Sequence, residues 1–258
     1  MTEPNGINER QRELFVRKST RVAASYLRRV KELSDMPDAA KPFFEVLENT
    51  YVKLSDIQDP EDGKSIGTLC VMVPAELIYA AGAIPVRLCS GSYTAYSIGD
   101  DYIPRDACPL VKAVMGFGKI RALPAFDNCS LLIAPVTCDC KKKLTGAIST
   151  VKNTVPLHIP PLKKEDADTA IFLKELYRLI PILEKETGKQ ITAKSLAEGI
   201  NMVGYAQYEM SEFMKYRRHD PALMSGTQVM AVMNAYAYMN ADLWAKQMHR
   251  LTGIAPAA

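Results

Sequence analysis

The spacing of apolar and polar positions changes twice along the chain. Residues 8–33, NERQRELFVRKSTRVAASYLRRVKEL, place apolar side chains three and four apart, which predicts a long amphipathic helix. A short helix is predicted over 41–50, and the turn formers of SDIQDPEDGKS (55–65) predict a polar loop. From residue 66 the rhythm shortens. IGTLCVMV (66–73), IPVRLC (84–89), CSLLIAPV (129–136) and TVPLHI (154–159, stopped by Pro160 and Pro161) are brief apolar runs that predict buried strands. Helical segments lie between them. PAELIYAAGA has Pro74 at its start and Gly82 near its stop, CPLVKAVMGF has Pro109 in its first turn, and a third helix is predicted to begin near Asp139. SGSYTAYSIGDDYIPRDA (90–107) reads as a loop. Short apolar strands alternating with helices imply an α/β fold of the flavodoxin or Rossmann kind, with a parallel sheet covered by helices on both faces.

Beyond residue 164 the pattern is helical throughout. The predicted segments are 165–188 with an internal Pro181 and a stop at Gly188, 192–219, and 224–251, which can hold one or two helices. The division expected is an α/β domain with N-terminal helices over 1–163 and an all-helical extension over 164–258. The Met-rich and Tyr-rich faces of that extension are expected to pack a core or an interface.

Composition narrows the class. With 48% hydrophobic and 24% charged residues, the chain has the profile of a soluble globular protein, and a net charge of +3 is too small to imply a nucleic-acid partner. No apolar run has the length of a membrane span, and the polar start MTEPNGINERQRELF does not read as a signal peptide, so a cytoplasmic location is expected. The six cysteines are then expected to be reduced thiols with metal, catalytic or redox roles, not a disulfide framework. Cys70, inside a predicted strand, reads as a small buried hydrophobe.

Placed on the predicted elements, Cys89 ends a strand, Cys108 sits at a helix start, and Cys138 lies between a strand and the next helix. All three fall at the carboxyl edge of the sheet, where open α/β sheets bind ligands. Cys129 precedes its strand and falls at the opposite edge. Cys140, in a first helical turn, should point away from Cys138 and is a further candidate. A helix N-terminus favours an anionic sulfur, the form that acts as nucleophile or metal ligand. The spacing is neither a zinc pattern nor the dense run of a ferredoxin. A cluster held by scattered cysteines stays open beside a plain thiol reading. Lys141, Lys142 and Lys143 crowd a helix N-terminus, where cations are unfavourable, so nearby anionic charge or simple solvation must compensate. GFGK (116–119) lacks the spacing of a phosphate-binding loop. His158, His219 and His249 are scattered and are expected to be non-catalytic. Asp100 and Asp101 read as loop carboxylates, and Glu76 as a complement to a helix dipole.

VPAELIYAAGAIPVRLCSG, PRDACPLVKAVMGF and LLIAPVTCDCKKKL together resemble the N-terminal domain of the 2-hydroxyacyl-CoA dehydratase family, which includes benzoyl-CoA reductase subunits and double-cubane cluster proteins. The resemblance is strongest over residues 65–160. It implies two flavodoxin-like domains with an iron–sulfur cluster between them, either 4Fe-4S or the double-cubane 8Fe-9S. Cys108 and Cys138 match the recurrent ligands of the N-terminal domain, and Cys89 matches the further ligand of the double-cubane branch. It also implies an ATP-hydrolysing iron–sulfur activator as electron donor and an acyl-CoA substrate; from charge and hydropathy, neither nucleic acid nor membrane is expected as partner. Cys140 stands where a glycine or another small residue is expected. The family's second α/β domain has no counterpart in this sequence. The chain is therefore expected to act as half of a split subunit, its cluster shell completed by another domain or chain. The alternative expectation is a cluster-free partner of a full-length subunit.

Overall fold

The amphipathic N-terminal segment forms α1, Glu9–Lys31. It starts at a reciprocal cap, in which the Asn8 side chain accepts from the Gln11 backbone N–H and the Gln11 side chain accepts from that of Asn8. This is a computed structural model, and it describes residues 7–33, 36–55, 64–89, 91–160 and 166–253. In chain order there follow α2 (Lys41–Tyr51), β1 (Ser65–Thr68), α3 (Ala75–Ala80), β2 (Ile84–Arg87), α4 (Tyr93–Gly99), α5 (Pro109–Ile120), α6 (Pro124–Asn128), β3 (Leu131–Val136), α7 (Asp139–Ile148), β4 (Thr154–His158), α8 (Asp166–Thr187), α9 (Ala193–Tyr216), α10 (Gly226–Ala235) and α11 (Ala241–Thr252).

The four strands form one all-parallel sheet in the order β2-β1-β3-β4, the beginning of the flavodoxin-like order. β1 is central and pairs Ile66 with Pro85 on one side and Leu131 on the other. Successive residues of β3 alternate between the two faces, as the period of a strand requires. Leu131 and Ile133 join Ile66, Leu77, Leu179 and Leu183 in the core under α3 and α8. Leu132 and Ala134 join Val86, Phe117, Leu144 and Trp244 in the larger core on the other face. Both faces are therefore covered, which explains why the strands read as apolar runs.

The sheet is shorter than the apolar runs suggest. Of the predicted strand 66–73, only 66–68 is strand, as the end of β1. After Thr68 the chain makes one more bond to β3, from Leu69 N–H to the Ile133 carbonyl, and then turns, with Val73 N–H bonded to the Cys70 carbonyl. An apolar run of eight residues does not by itself separate strand from turn, and Val71, in the turn, is 70% exposed. Two short helices also stand where the sequence predicts none. α4 lies inside the predicted loop 90–107; Ser92 caps it by accepting from Ala95 N–H. α6 is a single five-residue turn started by Pro124.

α4 survives because α5 packs against it backbone to backbone. A Cβ on Gly99 would lie 1.8 Å from the Lys112 carbonyl oxygen, and a Cβ on Gly116 would lie 1.9 Å from that of Ala95. The C-terminal helices fold back onto the same core. Trp244 of α11 meets Phe43 of α2 edge to face at 6.3 Å, and its indole N–H donates to the Val232 carbonyl at 3.2 Å. The boundary expected near residue 163, Pro161, positions 56–63 of the polar loop and the tail from residue 254 lie outside the described residues. Among the described residues, no helix is long and apolar enough to cross a membrane.

Two glycine substitutions separate this contact from ordinary helix propensity. Gly116→Ala is expected to lower stability by about 1–3 kcal/mol in urea unfolding, since the Cβ forces α4 and α5 apart. Gly146→Ala, where an added Cβ in α7 meets nothing within 4 Å, should raise stability by about 0.5–1 kcal/mol.

Candidate functional site

Parallel strands aim all their carboxyl ends one way, so whatever follows them gathers on one edge. β1, β2 and β3 end at Thr68, Arg87 and Val136, and a cysteine stands two residues beyond each: Cys70, Cys89 and Cys138. Cys138 is also the N-cap of α7, and Cys108 the N-cap of α5, with Pro109 beginning that helix. Neither cysteine side chain bonds the N–H groups of the turn it caps, and both residues are exposed free thiols. The edge therefore presents sulfur beside helix ends whose first N–H groups lack a side-chain cap.

Cys89 differs from these two. The residue as a whole is exposed, but its sulfur turns inward and donates to the Leu69 carbonyl. Burial of the sulfur pushes the thiol up to about 11; nearby Cys70 adds to the rise, while Arg87 and Lys141 oppose it. Cys70, read from the sequence as a small buried hydrophobe in a strand, is half-buried in the turn after β1, close enough to Cys89 to help raise the Cys89 thiol. Its offset from the strand end was the available signal, hidden by the overlong apolar run. Cys129 lies before β3 at the opposite edge, 1% exposed; burial pushes its thiol up to about 11 as well. Cys140 is half-buried and packs against the larger core.

Among the described residues, no three His, Cys, Asp or Glu side chains converge closely enough to hold one metal ion. The donor set is all sulfur, the ligand type of iron–sulfur clusters, whose several metal atoms spread their ligands apart. In chemistry the edge fits such a cluster; in number its thiols are fewer than a whole shell needs. Lys141 is half-buried, and Lys142 and Lys143 are exposed, in the first turns of α7; among the described residues none of them has an ion-pair partner. Lys141 is near enough to Cys89 to favour negative charge there.

Lys112 was not singled out by sequence reasoning, because it sits in an otherwise apolar helical run. It is 1% exposed, one turn after Cys108. Its ammonium bonds Asp100 at 2.5 Å and the Arg105 carbonyl at 2.7 Å, and lies 5.1 Å from the Tyr96 ring centre. It thus pins the segment that leads into Cys108, and Asp100 is its anchor. Of the histidines, His249 meets buried Glu209 at 3.1 Å. His158, exposed at the end of β4, has its backbone N–H on Glu175.

A parallel sheet of flavodoxin-like order with free thiols along its carboxyl edge defines the class: an α/β protein with cysteines placed after its strands. The sequence profile of the 2-hydroxyglutaryl-CoA dehydratase D-component matches residues 70–256, and the chain belongs to that family. It is 28% identical over 201 residues to the protein named "Putative dehydratase subunit YjiM" of Escherichia coli, covering 78% of this chain and 52% of that protein. It is 28% identical to the (R)-phenyllactyl-CoA dehydratase beta subunit of Clostridium sporogenes over 77% of this chain and 53% of that one. For a benzoyl-CoA reductase subunit of Thauera aromatica the corresponding figures are 23%, 78% and 52%. The chain thus spans about half the length of the curated relatives it matches.

Alkylation by iodoacetamide, mapped by mass spectrometry on the metal-free protein, tests the assigned environments. Cys108 and Cys138 should react first at neutral pH and Cys129 last. The rate at Cys89 should climb about tenfold per pH unit until pH approaches about 11, because only the thiolate attacks.

Proposed function

We propose that this chain is the iron–sulfur component of an ATP-activated, low-potential radical 2-hydroxyacyl-CoA dehydratase, or of a related acyl-CoA or double-cubane reductase. The observation that carries the reading is the position of Cys89, Cys108 and Cys138 after strands or at helix starts on one sheet edge, in a chain of this family. Cys108 and Cys138 are its primary cluster ligands and Cys89 the third, with Cys140 held in the core and not needed. Ligands from beyond these residues, on a homologous domain or subunit, complete the shell. An ATP-hydrolysing iron–sulfur protein is the electron donor, and an acyl-CoA is the acceptor class. When bound, the cluster supplies one low-potential electron.

The rest of the work belongs to this chain's own side chains. The α5 and α7 caps hold two sulfurs beside uncapped N–H groups, which stabilise negative charge. Lys141, Lys142 and Lys143 supply counter-charge for an anionic cluster or a CoA phosphate. Lys112 and Asp100 fix the approach to Cys108. Apolar side chains close in sequence to the thiols are exposed, among them Val71 at 70%, Tyr93 at 82% and Leu110 at 56%. Such a rim suits an edge that a partner covers and keeps dry.

Anaerobic co-expression with the product of the adjacent reading frame, followed by iron and acid-labile sulfide analysis, tests the reading. The complex should carry both. Cys108→Ala and Cys138→Ala should each lose most of the iron, while Cys129→Ser should keep it. A complex that is active yet unchanged by either alanine variant would make the chain a cluster-free partner instead.

A further inference from the structure

A second feature of the same edge does not involve Cys89, Cys108 or Cys138. A cavity of about 480 Å³ opens where α3, α9 and α10 meet the ends of β1 and β2, a size typical of small-ligand sites. Arg87, the last residue of β2, lines it, with its guanidinium 6.0 Å from the ring centre of Tyr236. Glu76 of α3, Gln207 of α9 and Asn234 of α10 line it too. Among the described residues, none of these four side chains has a hydrogen-bond or ion-pair partner, and Arg87 and Glu76 do not reach each other within 4 Å. Gln207 and Asn234 are exposed, whereas Glu76 and Arg87 are half-buried, so two unpartnered charges of opposite sign share one concave space with apolar side chains of α9 and α10. Half-buried opposite charges that line one cavity without meeting each other are groups that a ligand with complementary ends can bridge.

We propose that this cavity binds a small organic acid that carries a free carboxylate at one end and a hydrogen-bond donor, a hydroxyl or an ammonium, at the other. The planar Arg87 fork matches the carboxylate with two parallel bonds, and the face of Tyr236 fixes the fork's plane. Glu76, which only accepts when ionised, takes the donor end. The amides of Gln207 and Asn234 serve either end, and the apolar wall covers the short carbon skeleton. Both Glu76 and Arg87 act electrostatically on Tyr236, which places the two charges on the same aromatic side chain. The close passage of α9 over α3 gives the cavity a rigid base: a Cβ on Gly199 would lie 2.4 Å from the Glu76 carbonyl oxygen. A 2-hydroxyglutaryl thioester keeps one free carboxylate, so binding here is tested with free acids alone and does not depend on the cluster.

The chain carries a single tryptophan, Trp244, which lines this cavity and packs on Tyr236 at 5.0 Å between ring centres. Its emission therefore reports on occupancy without labels. Wild-type protein would be titrated with lactate, alanine, acetate and inorganic phosphate. Lactate or alanine should give a saturable change, and acetate, lacking the donor, should bind about tenfold more weakly or worse. Arg87→Gln should weaken binding by about tenfold or more, and Arg87→Lys, which keeps the charge but loses the fork, should fall between. Glu76→Gln should erase the preference over acetate. Cys108→Ala and Cys138→Ala should bind as wild type does, so loss of the cluster reading leaves this test intact. No saturable response to any carboxylate, a response to phosphate alone, or equal binding by the wild type and folded Arg87 variants would overturn the proposal.

Discussion

Everything at the candidate site depends on the four strands running the same way. In a parallel sheet each strand delivers its carboxyl end to one edge, and each following helix begins there. A cysteine two residues beyond a strand is therefore carried to the same edge as every other such cysteine, however far apart they lie in sequence. Cys70, Cys89 and Cys138 share that offset from β1, β2 and β3. The central strand makes the pairing possible, since a side chain at Gly67 would meet Leu88 Cδ1 at 2.7 Å and Cys129 Sγ at 3.0 Å. Its bareness lets the amino-edge thiol and the layer above pack directly on the sheet.

The helices convert that edge into a fixed arrangement. α5 carries Cys108 and cannot slide, because its backbone rests on that of α4 through Gly116 and Gly99, and because buried Lys112 ties it to the segment before it. α9 is seated on α3 by Gly199, and the Tyr79 hydroxyl accepts from Ala241 N–H at 2.9 Å, tying α3 to the start of α11. The C-terminal helices thus brace the strands that hold the thiols. They share one core with α2 and α5, in which Phe43, Phe117 and Trp244 are all buried.

Strand periodicity and the proline and glycine punctuation made the α/β class, the parallel sheet and the long helices legible in the sequence. α1, α7, β4, α8 and α9 fall within a few residues of where the pattern predicts them. What stayed hidden was set by tertiary contact. α4 has the Ser, Gly and Tyr composition of a loop and is helical because α5 lies against it. Cys70 was absorbed into an apolar run whose second half is a turn. Lys112 gave no signal in an apolar helical run, because its partner Asp100 lies twelve residues earlier and is brought to it only by the fold. The edge positions of Cys89, Cys108 and Cys138 were readable because topology alone fixes them. The inward turn of the Cys89 sulfur was not, since it depends on the Leu69 carbonyl just beyond β1.

The central proposal is that Cys89, Cys108 and Cys138, and no other cysteines of this chain, hold iron. Anomalous diffraction at the iron absorption edge, on crystals of the anaerobically prepared complex, tests it most directly. The account predicts iron bonded to the Sγ atoms of Cys108 and Cys138, beyond the carboxyl ends of the strands, with further sulfur ligands from the partner. Iron found instead at Cys129 or Cys140, or a fully loaded complex whose iron touches no sulfur of this chain, would contradict it.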